Sequence, residues 1–156
     1  MVETYPQALV VRTSAFFGPW DRNNFVTRAL THLGRGRSFA AADDVWVSPT
    51  YVPDLVETSR DPLIDGERGI WHIANSGATT WYDLALKAAE LAGVDPSALE
   101  ARRAVDLGRV ARRPVYSVLG SERGWMVPDL DDALIRFVRD RACFGSNSGP
   151  PAMGNP

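Results

Sequence analysis

Residues 8–13, Ala-Leu-Val-Val-Arg-Thr, and residues 69–74, Gly-Ile-Trp-His-Ile-Ala, decide the fold class. Both are short, largely apolar runs without strict alternation. Runs of that kind suit strands buried on both faces, as in a parallel sheet. Helical patterns lie between and after them, and strand–helix alternation reads as α/β. Two strong strands do not complete a doubly wound sheet, so the chain reads as part of one.

Working outward, the first run ends in a loop, Ser14–Trp20. Asn24 is placed to cap a helix whose Val26, Ala29, Leu30 and Leu33 share one face, with Gly34 as its stop. Ser38–Ala40 and Val45–Val47 read as short strands around an acidic turn, Asp43-Asp44. Pro53 suits the first turn of a helix running to about Leu63. Thr80-Trp81-Tyr82-Asp83 has the layout of a capping box, followed by Trp81, Leu84, Ala85, Ala88 and Leu91 on one face and Gly93 as the stop. A last helix carries Leu130, Ala133, Leu134, Phe137 and Val138. Asp129, Asp131 and Asp132 sit at its start and Arg136, Arg139 and Arg141 near its expected end, matching the helix dipole. One folded segment, 5–141, and a flexible Gly/Pro/Ser/Asn-rich tail, 142–156, are the expected organisation.

Composition narrows the function. The 156 residues are 45% hydrophobic and 23% charged with a net charge of −2, which suits one globular domain and no nucleic-acid partner. Sixteen arginines against a single lysine, Lys87, read as genome composition before they read as phosphate binding. Cys143 stands alone and far in sequence from His32 and His72, so neither a disulfide framework nor a cysteine nucleophile is expected. Two histidines and one cysteine argue against a His/Cys metal site. No apolar run approaches the roughly 18 residues of a membrane span, and the N-terminus lacks a signal layout, so the cytoplasm is the expected location.

Catalytic layouts are missing from these residues. The string Gly34-Arg35-Gly36 follows a helix and lacks the third glycine of a dinucleotide turn. There is no Walker loop and no Gly-x-Ser-x-Gly elbow. Lys87 has Asp83, not tyrosine, four residues before it. The pairs Asp43/Asp44 and Asp131/Asp132 are adjacent, so their side chains diverge. No catalytic residue is expected in this chain.

Three features point to binding. Arg12-Thr13-Ser14 closes the first strand, and in open α/β sheets the ligand crevice lies beyond the carboxyl ends of the strands. Asn23-Asn24-Phe25 opens a helix, where backbone N–H groups favour a phosphate. Arg109-Val110-Ala111-Arg112-Arg113-Pro114 is an arginine cluster on a proline-fixed loop, suited to bidentate phosphate contact. Strand-end polarity, plain capping and a solvated basic loop explain each one separately. Together they point to a nucleoside diphosphate ligand.

At these positions the sequence resembles the dTDP-4-dehydrorhamnose reductases, extended short-chain dehydrogenase/reductases acting on nucleotide sugars. The resemblance is carried, in order, by Arg12-Thr13-Ser14, Asn24-Phe25, Ser48-Pro49-Thr50-Tyr51, Asp54-Leu55, Gly69–His72, Thr80–Ala85, Arg113-Pro114 and Ser117-x-Leu119. It covers about residues 5–140 and matches the C-terminal half of that family. It implies a partial Rossmann-like sheet made of late strands, plus a small substrate-binding lobe. The N-terminal cofactor half, with its Gly-rich turn and Tyr-x-x-x-Lys pair, would lie upstream of the residues present.

By the same resemblance the intact enzyme uses NADPH to reduce a sugar 4-keto group, and this chain alone holds no cofactor. Asn24, Phe25 and Arg113 would contact the nucleotide-diphosphate sugar. Thr13, Ser14 and Ala15 would border the cofactor. The partner implied is the missing cofactor half, or a second copy of the chain. Two departures bear on the sugar: Ala15 stands where the family commonly has an aromatic residue, and Asp44-Val45-Trp46-Val47 replaces Asp-Gln-x-Gly. A non-catalytic nucleotide-sugar-binding module and a truncated gene product are the alternatives to a substrate-binding half.

Overall fold

The computed structural model describes residues 4–108, 111, 113–123 and 127–145. Strand β1 (Leu9–Arg12) and β2 (Phe16–Phe17) precede helix α1 (Phe25–Leu33). Strands β3 (Phe39–Ala42), β4 (Trp46–Val47) and β5 (Thr50–Tyr51) lead into α2 (Val52–Ile64). Strands β6 (Gly69–His72), β7 (Asn75–Ser76) and β8 (Thr79–Thr80) lead into α3 (Trp81–Leu91). Then come β9 (Leu99–Arg102), a 3-10 turn (Ala104–Leu107), β10 (Tyr116–Ser117), β11 (Val127–Asp129) and α4 (Leu130–Gly145).

The two deciding runs pair with each other. β1 and β6 form a parallel ladder from Leu9↔Gly69 to Arg12↔His72. β3–β9, β2–β5 and β11–β7 are parallel pairs as well. β4 pairs in parallel with β10 and antiparallel with β8. The result is an α/β fold with short, mainly parallel sheets.

The helices form where the sequence signals them. The Asn24 carboxamide oxygen accepts from Thr27 N at 2.9 Å and caps α1. Thr80 Oγ1 accepts from Asp83 N at 3.0 Å and caps α3. The core is the shared face of α1, α3 and α4, with Leu30, Leu84, Ala88, Leu134 and Phe137 buried. Phe17 joins it, its ring 5.3 Å from Tyr51 and 5.5 Å from Phe137.

A polar clamp locks α4 onto α2. Arg136 Nη1 and Nη2 donate to the two carboxylate oxygens of Asp54 at 2.5 and 2.7 Å, and Asp54 is 4% exposed. Asn75 Nδ2 donates to the same carboxylate, and its Oδ1 accepts from Tyr51 N. Tyr51 OH donates to Asp140 at 2.8 Å. Burial, then the Asp140 carboxylate, push the Tyr51 hydroxyl far above its ordinary pKa, so it stays a donor.

Four expectations change. Leu9, Val10 and Val11 are half-buried and Ile70 is 46% exposed, where burial on both faces is expected. The reason is that β1 has one neighbouring strand among the described residues. β3 lies one to two residues beyond Ser38–Ala40, because its register is set by β9, a strand the sequence does not announce. α4 continues through Gly145, past the expected boundary at 141, so the arginines fall mid-helix. Arg136 there serves Asp54 rather than the helix end. Of the tail, residues 146–156 lie outside the described ones.

Candidate functional site

The site is built on β4, the 3-10 turn and the segment that follows it. A cavity of about 350 Å³ opens between Ala42, Asp44 and Val45 on one side and Ala104, Arg113 and Val115 on the other. The indole of Trp81, the first residue of α3, forms part of its wall, and Arg103 is at its rim. The cavity is therefore mostly apolar, with an aromatic face, two guanidinium groups and one carboxylate. That suits a ligand with a flat ring at one end and a charged group at the other.

Its polar groups are fixed by the backbone. Asp44 Oδ1 accepts from Ala104 N at 2.8 Å, which ties the β3–β4 turn to the 3-10 turn. Asp44 Oδ2 lies 3.8 Å from Arg103 Nε. The segment carrying Arg113-Pro114 is stitched to β4: Trp46 N donates to Val115 O at 2.8 Å and Ser117 Oγ to Trp46 O at 3.2 Å. Leu119 N donates to the buried Ser48 Oγ at 3.0 Å. Arg113 itself is exposed, with no protein carboxylate among its described partners. Its fork is available to an anion.

Phe25 stands one ring behind this wall, its centroid 4.7 Å from Trp81. Asn24 is buried, and its carboxamide is fully engaged within the protein. Besides capping α1, its Nδ2 donates to Gly18 O, Asp21 O and Thr27 Oγ1 at 3.0, 2.6 and 2.9 Å. Any ligand contact from this corner would come from the backbone of the first turn.

The Thr13-Ser14-Ala15 turn lies beside the cavity. Thr13 Oγ1 donates to Thr50 Oγ1 at 3.2 Å, and Ala15 O accepts from Thr50 N at 3.1 Å. Ala15 has φ 47°, the one positive φ of a non-glycine among the described residues. A left-handed alanine costs about 1–2 kcal/mol. Its methyl packs on Ala42, Val45 and Val47, a small cluster that also takes in Trp81 and Ala104. Of Ala15, Phe25 and Arg113, Arg113 lines the cavity itself, whereas Phe25 backs the Trp81 ring and Ala15 packs on the cluster that holds Ala42 and Val45.

Arg12 lies elsewhere. Its Nη1 is 3.4 Å from His72 Nε2, and His72 Nδ1 is 3.0 Å from Gly120 O. A carbonyl only accepts, so Nδ1 carries the proton and Nε2 accepts from Arg12. Arg109 and Arg112 lie outside the described residues.

Sequence reasoning missed Trp81 and Arg103 as site residues. Trp81 follows a capping threonine and reads as core, and Arg103 precedes an unsignalled turn. Only the fold brings both beside Arg113. Among the described residues no group of three or more His, Cys, Asp or Glu could hold a metal ion, and no helix is long and apolar enough to cross a membrane.

Comparison with known proteins bears on this geometry. The family model described as the RmlD substrate binding domain matches residues 1–127. A dTDP-4-dehydrorhamnose reductase from Mycolicibacterium smegmatis is 38% identical over 121 residues, covering 76% of this chain and 36% of the relative. A probable dTDP-4,6-dihydroxy-2-methyloxan-3-one 4-ketoreductase from Streptomyces antibioticus is 35% identical over 122 residues, covering 76% of this chain and 40% of the relative. The crystal structure of a Bacillus anthracis dTDP-4-dehydrorhamnose reductase in complex with NADP aligns at a TM-score of 0.77 and 28% identity. That alignment covers 85% of this chain and 48% of the other. The chain thus spans less than half the length of these three relatives.

Proposed function

The chain belongs to the RmlD substrate binding domain family, and on that premise we propose that it is the substrate-binding half of a nucleotide-sugar 4-ketoreductase. The ligand is a nucleoside-diphosphate 6-deoxysugar of the dTDP type, the cofactor of the intact enzyme is NADPH, and the place of work is the cytoplasm. One observation carries the reading: Arg113, without a described protein carboxylate, shares a mostly apolar cavity with the Trp81 ring.

The residues divide the work by their chemistry. The Arg113 guanidinium takes two phosphate oxygens at once, and Pro114 restricts the backbone from which it projects. The Trp81 face and the Ala42, Val45 and Ala104 side chains receive the flat, less polar part of the nucleotide. Asp44, held by Ala104 N, keeps Arg103 at the rim. Backbone N–H groups in the first turn of α1, around Phe25, add positive potential.

NADPH supplies a hydride when bound. The Thr13-Ser14-Ala15 turn fits the border of such a group: it closes β1, and its side chains are small. It does not fit the seat of a pyrophosphate, since the 156 residues contain no Gly-x-Gly-x-x-Gly turn. This chain's own contribution is to bind and orient the sugar nucleotide.

Calorimetric titration with dTDP tests the reading. A charge-assisted contact is worth about 1.5–3 kcal/mol, so Arg113→Ala weakens binding about ten- to a hundredfold. Arg112→Ala changes it far less. Equal affinities for both variants and the unmodified chain would remove Arg113 from the site.

A further inference from the structure

We propose that the cavity at the carboxyl ends of β1 and β6 binds a small phosphomonoester through Arg12, at a site separate from the Arg113 cavity. The two cavities share no lining residue. The proposal goes beyond the function given above and does not depend on it.

The ladder builds the floor. Val10 pairs with Ile70 and Arg12 with His72, and residues in register on neighbouring parallel strands project from the same face. Val11 and Thr13 turn to the other face, towards α2. Ile70 and His72 therefore lie beside Arg12 at the base of a cavity of about 580 Å³, bounded on its other side by residues 118–123.

Arg12 is oriented but not neutralised. Its Nη1 is 3.4 Å from His72 Nε2, and Gly120 O fixes the other side of that ring, 3.0 Å from Nδ1. No carboxylate pairs with Arg12 among the described residues. A guanidinium held by one ring nitrogen keeps most of its N–H donors free, and its direction is set before a ligand arrives. Arg136 is the contrast, since Asp54 engages its fork inside the protein.

The rest of the lining selects the ligand. Arg123 adds a second positive charge, 5.0 Å from the Trp71 ring and 3.6 Å from Glu67. Ser121 adds a hydroxyl that can donate to an oxyanion. Glu122 is the opposing carboxylate, so with two arginines in the lining positive charge prevails. Such a set prefers an oxyanion, and the Arg12 fork matches two phosphoryl oxygens at once. Ile70, 46% exposed, and Leu119 add apolar surface, and the volume exceeds what a bare oxyanion fills. Together they suit a phosphoryl group joined to a short apolar body.

The test titrates the isotope-labelled chain with monobutyl phosphate and, separately, with inorganic phosphate, following backbone amides by NMR. Monobutyl phosphate is expected to shift the amides of Gly120 and Ser121 and to bind about threefold or more tighter than inorganic phosphate. Arg12→Gln weakens its binding about tenfold or more and leaves circular dichroism and dTDP affinity unchanged. Glu122→Gln removes the opposing charge and tightens binding about twofold, a gain that misfolding cannot imitate. Absence of binding, shifts confined to the Arg113 cavity, or indifference to Arg12→Gln overturns the proposal. Equal affinity for the two phosphates also overturns it, since that assigns the cavity to free phosphate. So does loss of dTDP binding in Arg12→Gln with the fold intact, since that merges this cavity with the substrate site.

Discussion

The Arg136 guanidinium grips the Asp54 carboxylate through two parallel hydrogen bonds, Nη1 to Oδ1 at 2.5 Å and Nη2 to Oδ2 at 2.7 Å. The pair joins residues 82 positions apart and holds α4 against α2. Asp54 donates the strongest influence on Arg136 and raises its pKa further, so the guanidinium is charged at every working pH. The pair anchors the helical layer behind the candidate site; the cavity beside Arg113 is lined by other elements.

Breaking this pair from one side leaves an uncompensated charge. Asp54→Asn is expected to destabilise the chain by about 3 kcal/mol or more in urea unfolding. Asp132→Asn removes only the exposed i,i+4 partner of Arg136 and costs about 0.5 kcal/mol or less. Equal effects would mean that Asp54 is not the anchor.

Asn24→Ala separates capping from binding. It removes the cap of α1 and leaves Gly18 O and Asp21 O without their donor, a loss of about 2 kcal/mol in stability. Measured well below the melting temperature, its dTDP affinity stays within about threefold of the unmodified chain, because its side chain is engaged internally. A drop as large as that of Arg113→Ala would place the Asn24 side chain on the ligand.

Asp140 gives the acid limb of stability a named source. Hydrogen bonds from Arg139, then from Tyr51, hold its carboxyl below the ordinary pKa. A carboxyl depressed in the folded state contributes stability that is complete above its unfolded value, about 3.9, and is lost as pH falls through the lower folded value. Urea midpoints of the unmodified chain therefore fall below about pH 4. Asp140→Asn flattens that fall and lowers the midpoint near neutrality. An unchanged acid limb would assign it to other carboxylates.

The isolated chain is expected to show no hydride transfer. Its 156 residues contain neither a Gly-x-Gly-x-x-Gly turn nor a Tyr-x-x-x-Lys pair to protonate a developing alkoxide. The assay follows NADPH absorbance with a 4-keto nucleotide sugar, with and without a co-expressed cofactor half. Oxidation by the chain alone would contradict this expectation. Activity only with the second half excludes a purely regulatory binding module.

Local signals placed the helices well, and partnership decided the strands. Asn24 and Thr80 cap α1 and α3 because a short polar side chain before an apolar stripe meets N–H groups that any helix leaves free. β9 was not legible: Leu99-Glu100-Ala101-Arg102 has no β-branched residue, and it is a strand only because β3 lies beside it. Arg136 read as a dipole partner until α2 brought Asp54 within reach.

The sequence by itself determined that the chain is α/β and that its 156 residues lack the Gly-x-Gly-x-x-Gly and Tyr-x-x-x-Lys layouts, because these rest on residue type and short-range spacing, and it offered Arg113-Pro114 as a candidate diphosphate contact. Only the tertiary structure decided which of those residues share a wall. Trp81, Arg103 and Arg113 come to the same cavity from three separate parts of the chain, Ala15 packs on the Ala42, Val45 and Val47 cluster beside it, and Arg12 is drawn away to His72. Ladder register decided that Arg12 and His72 stand side by side on one face. The physical reason is that contact between distant segments depends on packing and on hydrogen-bond pairing between strands, which no local periodicity encodes.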